Sequence, residues 1–359
     1  MFIKSLELMN YRNYEFLDLK FSPGTNILYG DNAQGKTNIL EAIYMSATTR
    51  SHKGSKDRDV IRFHKEEAHI RTCLEKDNVG YQIDMHLRKN RSKGIAIDQK
   101  KLKKAADLLG LLNVVFFSPE DLNIIKNGPA ERRRFVDMEL CQLDQMYLEH
   151  LNQYHKILEN RNRLLKDLSF RPELKDTLSV WDLQLAEYGK KIIARRRSFT
   201  EQLNQIIFDI HKNLSGQKEE LVVHYEPDTE EQELERCLEE QQDRDIRLKQ
   251  TSSGPHRDDF SFRIGEMDIR RFGSQGQQRT AALSLKLSEI ELVKKITHTS
   301  PVLLLDDVLS ELDSKRQKLL LENIGSIQTV ITCTGLDEFV HDRFEIDKVF
   351  RVVEGSIAE

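Results

Sequence analysis

An α/β fold with an inserted helical arm is what this 359-residue sequence predicts, on three observations. A glycine loop, Gly30-Asp31-Asn32-Ala33-Gln34-Gly35-Lys36-Thr37, stands between the apolar run Thr25–Tyr29 and the helix-like stretch Asn38–Tyr44. Far downstream, Val302-Leu303-Leu304-Leu305-Asp306-Asp307 reads as a buried strand that ends in two carboxylates. Between these two segments the apolar spacing changes from the strand period to the helix period, and stays there from Ala130 to Leu214.

Taken in order, Ile3–Met9 and Phe16–Phe21 alternate apolar and polar residues and predict an opening hairpin; Ala68–Leu74 and Gly80–Leu87 predict another. A last apolar run, Asn113–Phe117, stops at Ser118-Pro119. From Ala130 to Leu168 the residues Phe135, Met138, Leu143, Met146, Leu151, Tyr154, Leu158 and Leu165 recur at helical spacing with no glycine or proline among them. Ser169-Phe170-Arg171-Pro172 breaks the pattern, and a second helical tract runs to Leu214, crossed only by Gly189. At 1.5 Å per residue, each tract of roughly 40 residues would extend ~60 Å. So short a turn makes an antiparallel helical hairpin the expectation, with bent, broken helices in a compact bundle as the alternative. The acidic stretch Glu226–Asp243 reads as a third, mostly solvated helix. Strand-like Phe260–Ile264, a loop with Gly273 and Gly276, a helix over Gln277–Ile296 and the acidic strand complete the chain. Residues 1–118 and 251–359 are therefore expected to form one discontinuous head, and 119–250 an inserted helical arm.

Composition excludes several classes. Charged residues make up 32% of the chain, and no apolar stretch approaches the ~20 residues that a membrane-spanning helix needs. Met1–Leu8 alternates like a strand rather than resembling a signal peptide. Cys73, Cys141, Cys237 and Cys333 are scattered without a C-x-x-C pair, which favours reduced thiols and a cytoplasmic location. The net charge of −4 hides an uneven distribution: Glu226–Asp243 holds nine acids against one base, whereas Arg88–Lys104 holds eight bases against Asp98 alone. Basic blocks of this kind are an electrostatic footprint for nucleic acid. Lys89, Arg91, Lys93, Lys101 and Lys104 are the candidate DNA contacts, with the triplet Arg132-Arg133-Arg134 as runner-up and Arg195-Arg196-Arg197 as a further basic triplet. No aromatic residue is interleaved in the first block, so contact to phosphates rather than stacking on bases is expected.

The chemistry of the glycine loop follows from its pattern. Residues 30–37 fit G-x-x-x-x-G-K-[ST] at every fixed position, in the strand–loop–helix context that a phosphate cradle requires. Backbone N–H groups from Gly30 to Gly35 and the helix N-terminus would face the phosphates of a nucleoside triphosphate. Lys36 would reach the β- and γ-phosphates, and Thr37 would hold Mg²⁺, with Asp306 and Asp307 as the acids beside the ion.

A second device lies at Phe272-Gly273-Ser274-Gln275-Gly276-Gln277, followed after the acidic strand by Ser310-Glu311-Leu312-Asp313. The order Ser-x-Gly-Gln loop, helix, acidic strand and S-x-L-D turn is that of ABC-type ATPases. There the serine and glycine N–H groups meet the γ-phosphate held by the other subunit of a dimer. Further segments narrow the resemblance: Asn10-Tyr11-Arg12-Asn13-Tyr14, Phe117-Ser118-Pro119-Glu120-Asp121-Leu122, Gly128–Asp137, Ser253-Gly254-Pro255-His256-Arg257-Asp258-Asp259 and Leu304-Leu305-Asp306-Asp307. Nearly end to end, the chain resembles the RecF family, bacterial recombination-mediator ATPases related to the SMC proteins. The Gly-Pro-His-Arg-Asp-Asp hexapeptide is the most discriminating segment.

That resemblance implies an ABC-type (SMC-like) head and a slow, DNA-stimulated ATPase that uses ATP and Mg²⁺. It implies a homodimer formed on ATP binding, duplex or gapped DNA with a single-strand/double-strand junction as ligand, and RecR, with RecO, as partner. The implied role is recombinase loading in gap repair, replication restart and the SOS response. By position, Lys36 and Thr37 serve phosphate and metal, Asp306 the metal through water, Asp307 the attacking water, and Ser274 with Gly276 the γ-phosphate across the dimer. Arg12 and Asn13 would flank base and ribose. Two departures from the ABC pattern point to slow turnover. The usual glutamine at the head–insertion junction is missing from Phe117-Ser118-Pro119-Glu120, and Thr334 stands at about the place of the usual switch histidine. Another SMC-like structural ATPase, or the ATP-binding subunit of a transporter, are the alternatives.

Overall fold

The computed structural model describes residues 1–325, 327–335 and 346–358. The chain opens with β1 (Phe2–Tyr11), β2 (Tyr14–Lys20) and β3 (Thr25–Tyr29), then α1 (Lys36–Thr48). Next come β4 (Glu67–Lys76), β5 (Val79–Arg88), β6 (Gly94–Ile97), β7 (Lys100–Lys101) and β8 (Val114–Phe117). A helical stretch follows: α2 (Leu122–Lys126), α3 (Pro129–Leu143), α4 (Gln145–Asp167) and α5 (Leu178–Leu214). Then come β9 (Leu221–Glu226), α6 (Leu234–Glu240), α7 (Gln242–Leu248), β10 (Asp259–Ile264), β11 (Met267–Asp268), α8 (Ile269–Phe272) and α9 (Gln275–Thr297). The last described elements are β12 (Val302–Asp306), α10 (Ser314–Ile324), β13 (Thr329–Cys333), β14 (Ile346–Val353) and β15 (Ser356–Ala358). Two compact units result: Met1–Asp121 with Glu289–Glu359, and Leu122–Ser288.

The first unit contains two six-stranded sheets. One runs β2-β1-β4-β5-β6-β7 and is antiparallel throughout, from the two predicted hairpins. The other runs β15-β14-β3-β13-β12-β8; all but the edge strand β15 are parallel. β12 is buried at every position, as expected of a central parallel strand with both faces covered. A single apolar core joins Leu6 and Leu8 of the antiparallel sheet, Ile39, Leu40 and Ile43 of α1, and Leu28, Leu304 and Val330 of the parallel sheet. Buried Gln328 ties the sheets together through the backbone: its side chain accepts from Ile3 N at 2.6 Å and donates to Ile3 O and Ser22 O, each at 2.8 Å.

In the second unit α4 and α5 pack as a hairpin, and α5 also covers β9 in the three-stranded antiparallel sheet β11-β10-β9. Three details differ from expectation. The tract Ala130–Leu168 is two helices, because Asp144 leaves the helical conformation (φ −145°, ψ 101°) and caps α4 by accepting from Tyr147 N at 3.1 Å. The acidic stretch is the end of β9, a loop, α6 and the start of α7; Leu234 and Leu238 on α6 are fully buried. Gly189 permits this packing, since a Cβ there would lie 2.5 Å from Leu234 Cδ2. Finally, the segment after Thr251 stays with the insertion, because Phe260–Ile264 forms β10 and pairs with β9 from Asp259↔Glu226 to Ile264↔Leu221. The return comes inside α9, between Ser288 and Glu289, rather than at 251.

Ion pairs fill the interior of this unit. Fully buried Arg161 donates to Asp182 at 2.6 Å, Asp245 at 2.7 Å and Thr251 Oγ1 at 2.9 Å. Arg196 donates to Asp137, to Asp258 Oδ2 at 2.8 Å and to the Pro255 carbonyl at 2.6 Å. Asp258 also accepts from Tyr225 Oη at 2.5 Å and Asp228 N at 3.0 Å. Burial drives the Asp258 carboxyl above the ordinary carboxylate range, and the Arg196 charge opposes the shift. His256, whose Nδ1 lies 2.7 Å from Tyr154 Oη, is pushed down to about 4 by burial and stays neutral at physiological pH. The hexapeptide thus fastens the interior of the second unit. The same contacts correct the runner-up DNA site. Arg132 is only 2% exposed and forks onto Asp259 at 2.7 and 3.0 Å, and Arg133 donates to the Asp258 carbonyl at 2.6 Å. In the other triplet, Arg195 pairs with Asp144 and Arg197 with Glu230.

Candidate nucleotide site

The site builds up from the C-terminal ends of parallel strands β3, β13 and β12, which lie side by side in that order. β3 leads into the glycine loop and β12 ends on Asp306. β13, between them, supplies Thr332. The glycines of the loop answer to close contacts. Gly30 adopts φ 148°, and a Cβ there would come within 2.3 Å of Val352 O; Gly35 adopts φ 113°, and a Cβ there would lie 2.4 Å from Asn13 Nδ2 and 2.8 Å from Tyr14 Oη. Ala33 takes a left-handed φ of 63° within the same loop. Two neighbouring turns brace it. Asn13 donates to Gln34 O at 2.9 Å and Tyr14 Oη to Gly35 O at 3.0 Å; Glu354 N donates to Gln34 Oε1 at 2.5 Å and Gly355 N to Gln34 O at 3.2 Å.

Lys36 is almost buried, and its ammonium donates to Gly30 O at 2.6 Å and Asp31 O at 2.7 Å. Thr37 Oγ1 donates to Asp306 Oδ1 at 2.8 Å, joining residues 269 positions apart. Thr332 Oγ1 donates to the same oxygen at 2.8 Å and accepts from Asp307 N at 3.0 Å, so one hydroxyl orients both acids. Asp307 has φ 53°, a conformation that costs an L residue of order 1–3 kcal/mol and persists only when its surroundings enforce it. Ser310 Oγ, donating to Asp307 O at 2.8 Å, helps to do so.

Sequence reasoning missed Thr332; its only signal is its place one strand over from the acids. It also missed Glu41, whose buried carboxylate accepts from Arg12 at 2.7 and 2.8 Å, Tyr11 Oη at 3.0 Å and Ser51 Oγ at 2.5 Å. Burial pushes this carboxyl up, and the Arg12 and Ser51 hydrogen bonds outweigh it, leaving it below its ordinary range. Arg12 also donates to Asp59 O and Ser55 Oγ, so four of its five donors are engaged within the protein rather than turned to a base or ribose. His52, tilted over Phe116 at 4.2 Å, is held down to about 4 by burial and is a neutral ring. Thr334 is exposed, just beyond the end of β13.

Ser274 and Gly276 belong to the second unit. Ser274 Oγ accepts from Gln277 N at 3.2 Å while Gln277 Oε1 accepts from Ser274 N at 2.8 Å, a reciprocal capping box that starts α9 and keeps the exposed serine at the helix end.

The basic block is mixed in character. Arg91, Lys101 and Lys104 are exposed, the first in the β5–β6 turn. Lys89 pairs with Glu66 at 2.9 Å. Lys93 is drawn into the protein, where it donates to Thr49 O and to Asp57 at 3.0 Å, and so is corrected from the set of surface cations. Lys100 and Lys101 form the edge strand β7, where lysines also discourage edge-to-edge pairing.

The RecF/RecN/SMC N terminal domain family matches residues 2–357. The DNA replication and repair protein RecF of Agathobacter rectalis is 62% identical over 357 residues, covering 99% of each chain, and that of Lachnoclostridium phytofermentans is 59% identical over the same length. A solved structure of the recombination mediator protein RecF with ATP, from the RecFOR pathway, superposes with a TM-score of 0.94 at 36% identity, covering 99% of this chain and 97% of that one. The Smc head domain of Pyrococcus furiosus, at 17% identity and a TM-score of 0.56, shares the fold. The chain belongs to the RecF family.

Proposed function

We propose that this chain is a RecF-type DNA replication and repair ATPase whose nucleotide site is the loop 30–37 with Asp306, Asp307 and Thr332. The observation that carries the reading is the Thr37–Asp306 hydrogen bond, which unites two distant motifs in one oxygen-lined position. Residues present fit the ligands. Gly30 and Gly35 have no room for a Cβ against Val352, Asn13 and Tyr14, so glycine at both places permits the tight loop whose backbone N–H groups would meet the phosphates. The Thr37 hydroxyl and Asp306 carboxylate are hard oxygen donors of the kind Mg²⁺ takes, together with waters and phosphate oxygens. When bound, the ion neutralises charge on the β- and γ-phosphate oxygens. Lys36 would exchange its two loop carbonyls for phosphate oxygens. Asp307, held at its strained φ, would accept a hydrogen bond from the attacking water. Here Asp does the work with a shorter reach than Glu, in keeping with slow, DNA-stimulated hydrolysis.

Ser274 and Gly276 would complete the site of a second subunit, making ATP the ligand that drives homodimerisation, since a molecule shared by two subunits stabilises only the dimer. Ser274→Arg is expected to leave ATP binding by the monomer near wild type while abolishing ATP-dependent dimers. Asp307→Asn is expected to accumulate them. Light scattering with and without ATP checks both, and loss of monomer ATP binding in the serine variant refutes the two-subunit site.

The dimer would bind duplex or gapped DNA and work with RecR and RecO in the cytoplasm, helping to load recombinase at gaps. An isologous dimer presents each basic surface twice about its two-fold axis, so the number of phosphates neutralised doubles on ATP binding. Charge reversal at Arg91, Lys101 and Lys104 is expected to lower duplex affinity and flatten its salt dependence, by roughly 0.9 in log–log slope for each phosphate left without its cation. ATP-driven dimerisation should stay unchanged. Fluorescence anisotropy across a salt series gives the slope, and an unaltered slope moves the DNA surface elsewhere.

A further inference from the structure

Glu67, His69 and His86 stand together on the outward face of the antiparallel sheet. The pairing of β4 with β5 sets His69 directly opposite His86 and puts Glu67 diagonally beside it. The intervening residues Ala68, Ile70, Met85 and Leu87 point into the core, so register and burial lock all three polar side chains onto one face. The imidazole rings of His69 and His86 stack at 4.0 Å and 22°, and Glu67 Oε2 lies 2.8 Å from His86 Nε2. One donor atom from each residue falls within 4.8 Å of the other two, the one such His-containing cluster among the described residues.

We propose that these three side chains form a surface site for a divalent transition-metal ion, with Zn²⁺ the best match. Two neutral imidazoles and a carboxylate are a borderline ligand set that suits zinc and leaves its fourth position to water. Zinc bonds of ~2.0–2.1 Å on a tetrahedron put neighbouring donors roughly 3.3–3.4 Å apart, so donors that lie within 4.8 Å of one another must close by at most about 1.5 Å, within the range of rotamer adjustments. β4 and β5 supply a rigid base, which favours a preformed site over a loop.

The surrounding charges make the site conditional. Arg88 approaches both ring nitrogens of His86, Nδ1 at 2.8 Å and Nε2 at 3.5 Å; the much shorter contact makes Nδ1 the acceptor and leaves the ring proton on Nε2, toward Glu67. Coordination through Nε2 shifts that proton to Nδ1. Arg88 has no acceptor and must then swing away from the ring. A bound ion would therefore free the first member of the basic block Arg88–Lys104 and add positive charge beside it. Arg71 is neutralised by Asp84 at 2.7 Å and by Glu7 at 3.3 Å, and so does not oppose a cation.

The test is calorimetric titration of Zn²⁺ into untagged full-length protein with Mg²⁺ in excess, so that the nucleotide site does not compete. Wild type is expected to bind one Zn²⁺ per chain at this site. The double variant His69→Ala/His86→Ala should lose it. The milder Glu67→Gln should weaken it by at least the ~10–100-fold that loss of a mere supporting group costs. Arg88→Ala should bind more tightly, because it removes both the like charge and the competing hydrogen bond. Zinc binding that is absent in wild type, or unchanged in the double variant, overturns the proposal; so does weaker binding by Arg88→Ala.

Discussion

Lys36→Arg is expected to reduce ATP turnover by about 10²–10³-fold, the scale on which removal of one positioned electrostatic donor slows an enzyme. The reason lies in the loop that encloses the side chain. The compact ammonium fits between the carbonyls of Gly30 and Asp31, 2.6 and 2.7 Å away, in surroundings that leave it 8% exposed. A planar guanidinium is broader, directs its donors in a fixed fork, and cannot occupy that point without displacing the loop. Single-turnover hydrolysis measures the effect on chemistry. The rise in thermal midpoint with added ATP measures what binding remains, through the stabilisation that any native-state ligand confers. Wild-type turnover in this variant would remove the loop from the catalytic site.

Arg196→Ala is expected to destabilise the second unit by about 3–5 kcal/mol, the usual cost of leaving a buried charge without its partner. Asp258 is fully buried, and the variant would strand its carboxylate with only Tyr225 and the Asp228 amide for compensation. The sign of the pH dependence follows. Burial already raises the folded-state pKa of Asp258 above its unfolded value, against the pull of Arg196, and loss of the arginine raises it further. A group raised in this way favours the folded state while protonated and loses that contribution as pH climbs through its folded pKa. The deficit should therefore be largest at neutral pH and shrink as pH falls toward the carboxylate range. Urea unfolding at two pH values checks this. Arg197→Ala serves as the control: its exposed pair with Glu230 is worth only about 0–1 kcal/mol.

The sequence carried the local elements and the two nucleotide motifs because each is written in short-range code. The strand period of β1, β2, β4 and β5, the glycines of the loop and the apolar run before Asp306 all depend on neighbours within a few residues. What escaped was pairing between distant segments. Phe260–Ile264 is plainly strand-like, yet nothing local says that its partner is β9 rather than a strand of the head. Arginine triplets look alike in a sequence whether solvated or buried. Only the arrival of Asp259 beside Arg132, and of Asp137 and Asp258 beside Arg196, turns these arginines into interior ions. Thr332 is invisible for the same reason: a threonine in a strand is ordinary until β13 is seen to lie between β3 and β12.

That strand order also governs how the protein can come off the ribosome. β3 is hydrogen-bonded on one side to β13 and on the other to β14, both about 300 or more residues further along. At roughly 5–20 residues per second, the ribosome takes about 15–60 s to deliver them, and for that interval β3 and the glycine loop have no strand to pair with. The residues from Leu122 to Ser288, contiguous in sequence, emerge in the meantime with their hairpin, sheet and buried ion pairs complete in themselves. The insertion should thus be complete before the parallel sheet that carries the nucleotide loop. Nascent chains stalled before β13 should show a protease-resistant insertion but ready cleavage at β3 and the glycine loop. The ATP site becomes available only once β13 and β14 have been made, so products truncated before them cannot bind nucleotide.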